Sequence, residues 1–305
     1  MGKKIIGFFN KQKQFEQDVL ENGMEYSSFY GDSFKRLKKN KMAMFCAGIL
    51  VILILIAIFA PLIAPYDPTF QDYAAVLSGP NKAHPFGTDE FGRDILSRII
   101  YGSRVSLSIG IVAQVVASLV GVTLGALAGY YGGKVDSIIS RIMEIFQAFP
   151  DLIFAMAIMT FMGKGVLNLF IALGLLTWVR TARMIRGSVM QLKEKEYIEA
   201  SRANGASTFW IITKGLIPNC LSTIIVLVTL GIPNAIMYEA SLSFLGIGIQ
   251  PPTPSWGNMI SAAQTFISYR PVYSIMPGVA IMITVIAFNI FGDGLRDALD
   301  PKLKN

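Results

Sequence analysis

Long apolar runs alternate along the chain with short polar and basic segments, and each run has the length of a bilayer crossing. A helix rises ~1.5 Å per residue and the hydrocarbon core is ~30 Å thick, so one crossing takes about 20 mostly apolar residues. Six stretches qualify: Met42 to Ala64, Val105 to Tyr130, Ile142 to Met162, Gly165 to Ile185, Leu221 to Ile247 and Ser274 to Gly292. The first has an uncharged interior, and the second is rich in glycine (Gly110, Gly121, Gly125, Gly129), which suits close helix packing in lipid. The third contains Glu144, Pro150 and Asp151, the fourth turns basic at Arg180 and Arg183, and the fifth is interrupted by Pro233 and Glu239. Neighbouring helices or water satisfy the backbone of such broken spans. The pattern predicts an all-α polytopic membrane protein with six transmembrane helices. It consists of an N-terminal extension (1–41) and a membrane domain (42–305), with an outer loop at 65–104 and a patterned cytoplasmic loop at 186–220.

Composition agrees. Of 305 residues, 53% are hydrophobic and 15% charged, against roughly 25% charged in an average soluble domain. This argues against a soluble enzyme, a disordered scaffold and a fibrous repeat. The run Lys35, Arg36, Lys38, Lys39, Lys41 places the N-terminus in the cytoplasm by the positive-inside rule. With six crossings, 21 Lys and Arg fall on the cytoplasmic side and six outside (Lys82, Arg93, Arg98, Arg104, Lys164, Arg270). The net charge of +7 is therefore mostly an orientation signal, not a nucleic-acid footprint. No cleavable leader is expected, because the apolar stretch after Lys4 is too short. The first 34 residues read as a flexible extension in preference to an interfacial helix. Cys46 and Cys220 lie near cytoplasmic span ends, where a structural disulfide is not expected.

Catalytic chemistry is scarce. The single histidine, His84, falls in the outer loop, so neither an intramembrane H-E-x-x-H zinc site nor a Ser-His pair can be built. The phosphate-loop pattern is absent, since Gly133-Lys134 is followed by Val135 and Ala128 stands where the first Gly should be. No segment outside the membrane is long enough for a catalytic domain. Ionisable groups at membrane depth are costly, so Glu144, Asp151 and Glu239 should face protein or a water-filled path.

Two loops carry the remaining signal. In residues 186–220, Q-L-K-E-K-E-Y-I-E-A-S-R-A is made of helix formers with Lys195 and Glu199 four apart, and Asn204-Gly205 supplies a left-handed stop. A second short helix through A-S-T-F-W-I-I-T-K should stop near Pro218, whose preceding residue is pushed out of helical geometry. The result is a polar hook with Ile198, Phe209, Trp210 and Ile212 as apolar contacts, suited to a groove on a partner. In the outer loop, Asp89 with Arg93 and Asp94 with Arg98 are four apart, which predicts an amphipathic interfacial helix leading into the second span, its charges forming a solvated face.

Glu199-Ala200-Ser201, three residues, Gly205, nine residues, then Gly215-Leu216-Ile217-Pro218 resembles the E-A-A-x3-G-x9-I-x-L-P loop of binding-protein-dependent ABC importer permeases. Ser201, Gly215 and Ile217 depart mildly from that pattern. Three further stretches, His84 to Arg98, Leu242 to Gly257 and Phe288 to Pro301, resemble the C-type subunit of the dipeptide, oligopeptide and nickel permeases. The resemblance covers about residues 35 to 305. It implies a type I importer fold, and a complex of this subunit with a homologous second permease, two cytoplasmic ABC ATPases and an extracytoplasmic solute-binding protein. ATP and Mg would be bound by the ATPases, leaving this chain without catalytic residues, cofactor or metal.

In that reading Glu199, Ala200, Ser201, Gly205 and Pro218 couple to the ATPase. The outer motif (Asp89, Arg93, Asp94, Arg98), with Pro251 to Gly257, would receive the binding protein or seal the outer gate. Asp151 and Glu239 are candidates for the translocation path, where a carboxylate could meet a peptide's amino terminus. The implied location is a bacterial or archaeal cytoplasmic membrane, with both termini cytoplasmic. Oligopeptide is the favoured cargo, followed by dipeptide; glutathione and nickel chelates share the motifs. A gradient-driven secondary transporter and a non-transporting assembly subunit are the readings from other classes, and the energy source of uptake discriminates among them.

Overall fold

The computed structural model describes residues 29–300, and the reading of the leading extension lies, up to residue 28, outside them. Among the described residues the chain is helical, with one isolated antiparallel bridge between Thr88 and Asp94. The principal helices are α1 (Phe29–Lys39), α2 (Lys41–Ile58), α3 (Ile95–Tyr131), α4 (Gly133–Gln147), α5 (Asp151–Met162), α6 (Val166–Leu192), α7 (Glu196–Ala203), α8 (Leu221–Phe244), α9 (Trp256–Ala263) and α10 (Pro271–Leu299). Asn40 separates α1 from α2 and caps the latter, its side chain accepting the Ala43 N–H at 3.1 Å. Leu37 of α1 packs with Ala43 and Ala298, so the basic α1 lies against the end of α10.

Among the described residues five helices are long and apolar enough to cross a membrane, and α4 with α5 supplies a sixth if that bent pair is one span. Over the crossing expected at Ile142 to Met162, α4 and α5 meet at 91°. Pro150 has no N–H to donate and drives Phe149 out of helical geometry, while Asp151 suits the positive end of the new helix. At ~1.5 Å per residue α5 is about 18 Å long, short of a full crossing. An ion pair between Asp136 and Arg186 fastens α4 to α6, whereas Glu144 forms an exposed pair with Arg141.

Helix α3 is the central post, packed against both α6 and α8. Its Gly121, Gly125 and Gly129 lie four apart on one face, and α6 approaches them closely. A Cβ on Gly121 would meet Thr181 Cβ at 2.7 Å, and one on Gly129 would meet Val189 Cβ at 2.9 Å. A Cβ on Gly125 would overlap the carbonyl of Ala182 and stand 3.0 Å from its Cα. Backbone cannot rotate away as a side chain can, so Gly125→Leu must separate the two helices. We expect it to cost about 3 kcal/mol or more, read as a lower Tm of the detergent-solubilised subunit.

Pro218 does not end the second half of the hook. Ile217 is helical (φ −57°, ψ −45°), and the chain runs helically from Thr208 into α8. A wide π-helical turn, Ile211–Leu216, precedes the proline and is closed by the Ile217 N–H on the Ile212 carbonyl at 2.9 Å. Widening the turn moves the carbonyls that the pyrrolidine ring would otherwise strike, which lets the helix pass through proline. Cys46 and Cys220 are buried free thiols in separate apolar clusters.

Candidate coupling, translocation and outer-gate sites

The hook is capped at its corner and anchored from inside. Helix α7 ends in a Schellman arrangement: the Ala206 N–H donates to Ser201 O at 3.0 Å and the Gly205 N–H to Arg202 O at 2.9 Å. Gly205 holds φ +78°, with nothing within 4 Å of the position a Cβ would take. Ser207 starts the next segment by accepting the Trp210 N–H at 3.3 Å. The four apolar residues of the hook divide. Ile198 and Ile212 are buried with Ile185, Val189, Ile211 and Leu216 at the ends of α6 and α8. Phe209 (76% exposed) and Trp210 (49%) point away from the chain, beside exposed Glu199 and Ala200. Helix α6 extends through Leu192, so the hook proper occupies 193–220 and not all of 186–220. Gly215, one of the departures from the family loop, leaves room for Ile198, whose Cδ1 would lie 2.9 Å from an added Cβ.

A cavity of about 400 Å³ lies between α5, α6 and α8, lined by Gln114, Asp151, Arg180, Asn234 and Tyr238 among others. The Tyr238 hydroxyl donates to Asp151 Oδ2 at 2.5 Å. The Gln114 side chain crosses α8 where Gly231 has no Cβ to obstruct it. A second cavity of about 840 Å³ extends toward Pro218 and Asp300 and includes Arg180, Ser222, Thr223 and Arg296. The two share Arg180, Met184, Leu227 and Leu230, so they form one continuous recess. Glu239 lies elsewhere. It is fully buried and accepts hydrogen bonds from Ser106 Oγ (3.1 Å) and Ser243 Oγ (2.8 Å), while Ser106 also receives the Trp256 N–H at 3.3 Å. The two carboxylates expected on a path therefore separate, since Asp151 borders the recess and Glu239 ties α3, α8 and the start of α9 together.

The outer loop corrects the expectation of a solvated amphipathic helix. Asp89, Arg93, Asp94 and Arg98 are all buried, and residues 87–94 form a tight turn in which Gly87 and Gly92 have positive φ. Asp89 accepts the Phe91 and Arg93 N–H groups through Oδ1 at 2.9 Å, and Arg93 Nε through Oδ2 at 2.6 Å. Arg98 Nε lies 3.4 Å from the same Oδ2 and its Nη1 donates to Pro68 O at 3.0 Å. Asp94 pairs with His84 Nδ1 at 2.9 Å, not with Arg98, and caps α3 by accepting the Ser97 N–H at 2.7 Å. Helix α3 thus starts at Ile95, and residues 95–104 belong to it and not to the outer loop. Glu90 accepts from Tyr273 of α10 at 2.6 Å and pairs with Arg93 at 3.3 Å. The end of loop 251–257 docks on α3, with the Trp256 indole donating to Ile99 O at 3.1 Å.

Residues 121–305 match the family described as "Binding-protein-dependent transport system inner membrane component". The chain belongs to this family. The permease subunit also matches, over residues 28–80, the "N-terminal TM domain of oligopeptide transport permease C". It is 45% identical over 274 residues to the dipeptide transport system permease protein DppC of Alkalihalophilus pseudofirmus, covering 90% of each chain. It is 42% identical over 277 residues to the oligopeptide transport system permease protein OppC of Bacillus subtilis, covering 91% of each. Identity is also 42% with the glutathione transport system permease protein GsiD of Pectobacterium atrosepticum, over 89% of this chain and 91% of that one. An inward-facing structure of the MetNI methionine ABC transporter superposes with a TM-score of 0.53 at 22% identity, covering 68% of this chain and 98% of that one. The permease therefore has the type I ABC importer fold.

In this permease the structure collects Glu199, Ala200, Ser201 and Gly205 on one exposed hook, with Pro218 at its base. It gathers the outer motif into one buried charge cluster. Arg180, Tyr238, Asn234 and Gln114 were not singled out from sequence as path residues. For Arg180 a signal was present: it stands inside the fourth apolar stretch, Gly165 to Ile185, ahead of Arg183 and Arg186.

Proposed function

We propose that this permease is the membrane-spanning subunit of an ATP-driven importer of short peptides delivered by an extracytoplasmic solute-binding protein. The observation that carries this is the hook. A left-handed glycine and an inward isoleucine hold it in one orientation, and its exposed face offers Glu199, Phe209 and Trp210 to a partner. Such an element transmits force only when the partner contacts it differently in two states, which a nucleotide-driven ATPase pair provides. ATP and Mg are held by those ATPases, and the permease contributes no nucleotide site of its own. The second permease completes the path against the Asp151–Arg180 recess. The buried outer cluster keeps the loop in one shape, so that it can meet the binding protein or close the outer gate as a rigid body. Both termini lie in the cytoplasm of a bacterial cell, and residues 42–305 form the permease domain with the extension before it.

Peptide cargo is supported by the dipeptide and oligopeptide relatives, and the glutathione relative transports a tripeptide, the same chemical class. Gentle purification from native membranes tests the whole reading. We expect a homologous permease and ATPase subunits to come with this chain, with ATP hydrolysis stimulated by peptide-loaded binding protein. A lone, ATP-inert chain recovered after crosslinking, or uptake that collapses with the proton gradient, would overturn it in favour of a secondary transporter.

A further inference from the structure

We propose that Asp151 and Arg180 form a two-ended site for a free peptide, Asp151 taking the ammonium terminus and Arg180 the carboxylate. The inference rests on the peptide reading above and names the chemistry by which this subunit would recognise that cargo.

Arg180 is the starting observation. It lies about 21 Å along α6 from Val166, near the middle of a helix about 40 Å long at ~1.5 Å per residue. A guanidinium within an apolar helix is expensive wherever it meets lipid, so it calls for a partner or a water-filled path. The neighbouring arginines have partners, Arg183 with Gln147 and Arg186 with Asp136. Among the described residues Arg180 makes no ion pair and no hydrogen bond, and its side chain is exposed into the recess. It is also the one charged residue that lines both of the connected cavities.

Asp151 lines the same cavity of about 400 Å³ and accepts from the Tyr238 hydroxyl at 2.5 Å, which leaves its other carboxylate oxygen and the remaining lone pairs for a cation. Arg180 and Tyr238 line this cavity with it, so an anion and a cation that form no ion pair with each other border one pocket. Gln114, Asn234 and Thr177 line the same cavity; each already donates within the subunit, to Ser118, Leu230 O and Leu173 O, which leaves their oxygens to accept from a peptide N–H. The volumes, about 400 and 840 Å³, suit a small solute. A fork donor without an ion pair and a carboxylate held only by a phenol, both lining one polar recess, match a zwitterion, and a free peptide is one.

A phosphate headgroup offers Arg180 the same oxyanion, so the test separates the two sources. The complete importer is reconstituted with its binding protein in proteoliposomes and given trialanine, trialanine amide or N-acetyl-trialanine, each at concentrations that saturate the loaded binding protein. We expect the wild type to import trialanine faster than the amide by about tenfold or more, the scale of a charge-assisted contact. Arg180→Gln should bring the two rates to within about twofold by slowing trialanine alone, and Arg180→Lys, which keeps the charge, should retain most of the preference. Asp151→Asn should abolish the corresponding preference over the N-acetyl peptide. Equal slowing of all three peptides by Arg180→Gln would assign the residue to lipid phosphate or to folding. Unchanged rates, or a wild type indifferent to amidation, would equally overturn the site. Absence of ATP-dependent uptake of any peptide by the wild type would overturn the peptide reading as well, an outcome distinct from the others.

Discussion

Gly205→Val will abolish uptake while leaving the subunit inserted in the membrane at normal abundance. The residue closes the Schellman turn after α7 at φ +78°, a region that costs an ordinary side chain about 1–2 kcal/mol and a β-branched one more, because its second γ-carbon crowds the backbone. Nothing lies within 4 Å of the added Cβ, so the substitution creates no clash with the core. Its whole effect falls on the backbone angle between α7 and the segment that begins at Ser207. The chain can relieve the strain by opening the turn, which swings Glu199 and Ala200 away from the orientation set by Ile198. Coupling depends on that orientation, whereas insertion depends on the apolar spans. Membrane abundance measured beside ATP-dependent uptake separates the two. Gly205→Asn should retain substantial uptake, since asparagine tolerates the left-handed region. Normal uptake by the valine variant would remove the hook from the coupling mechanism.

Arg93→Glu should remove the folded subunit from the membrane. The guanidinium is 4% exposed and bridges Asp89, itself 0% exposed, and Glu90. Breaking a buried pair by removing one partner costs about 3–5 kcal/mol, and reversal adds repulsion among three carboxylates. The loop would then lose its grip on Tyr273 and on the start of α3, where Asp94 and Asp89 join the same cluster. We expect low steady-state abundance and rapid proteolysis between residues 65 and 94. Arg141→Glu breaks a pair of the same type on exposed α4 and should leave abundance unchanged, because surface pairs contribute little. Normal abundance of Arg93→Glu would mean that the outer cluster does not hold the loop.

Much of the architecture was legible because membrane insertion obeys a local rule. Apolar runs of sufficient length, basic flanks and the hook's stop at Asn204-Gly205 are all properties of short segments, and they located five crossings and the corner of the hook. The errors have one kind of cause. At Pro150 and Pro218 the same residue type broke one helix by 91° and passed through another on a π-turn, a choice made by the surroundings and not by the ring. The outer motif was misread because i,i+4 charges imply a solvated helical face only if a helix forms. Here two left-handed glycines and the Asp89 side chain fold the segment into a turn whose charges satisfy one another.

Sequence by itself determined five of the spans, the family and the corner of the hook, since hydropathy and motif spacing each act over a few turns of chain. Tertiary structure alone decided which ionisable groups are buried, paired or free. It placed Glu239 among serines, Asp89 between two arginines, and Arg180 and Asp151 at one recess. The energy of a charge depends on what lies within a few ångströms of it, and in a bundle those neighbours come from helices far apart in sequence.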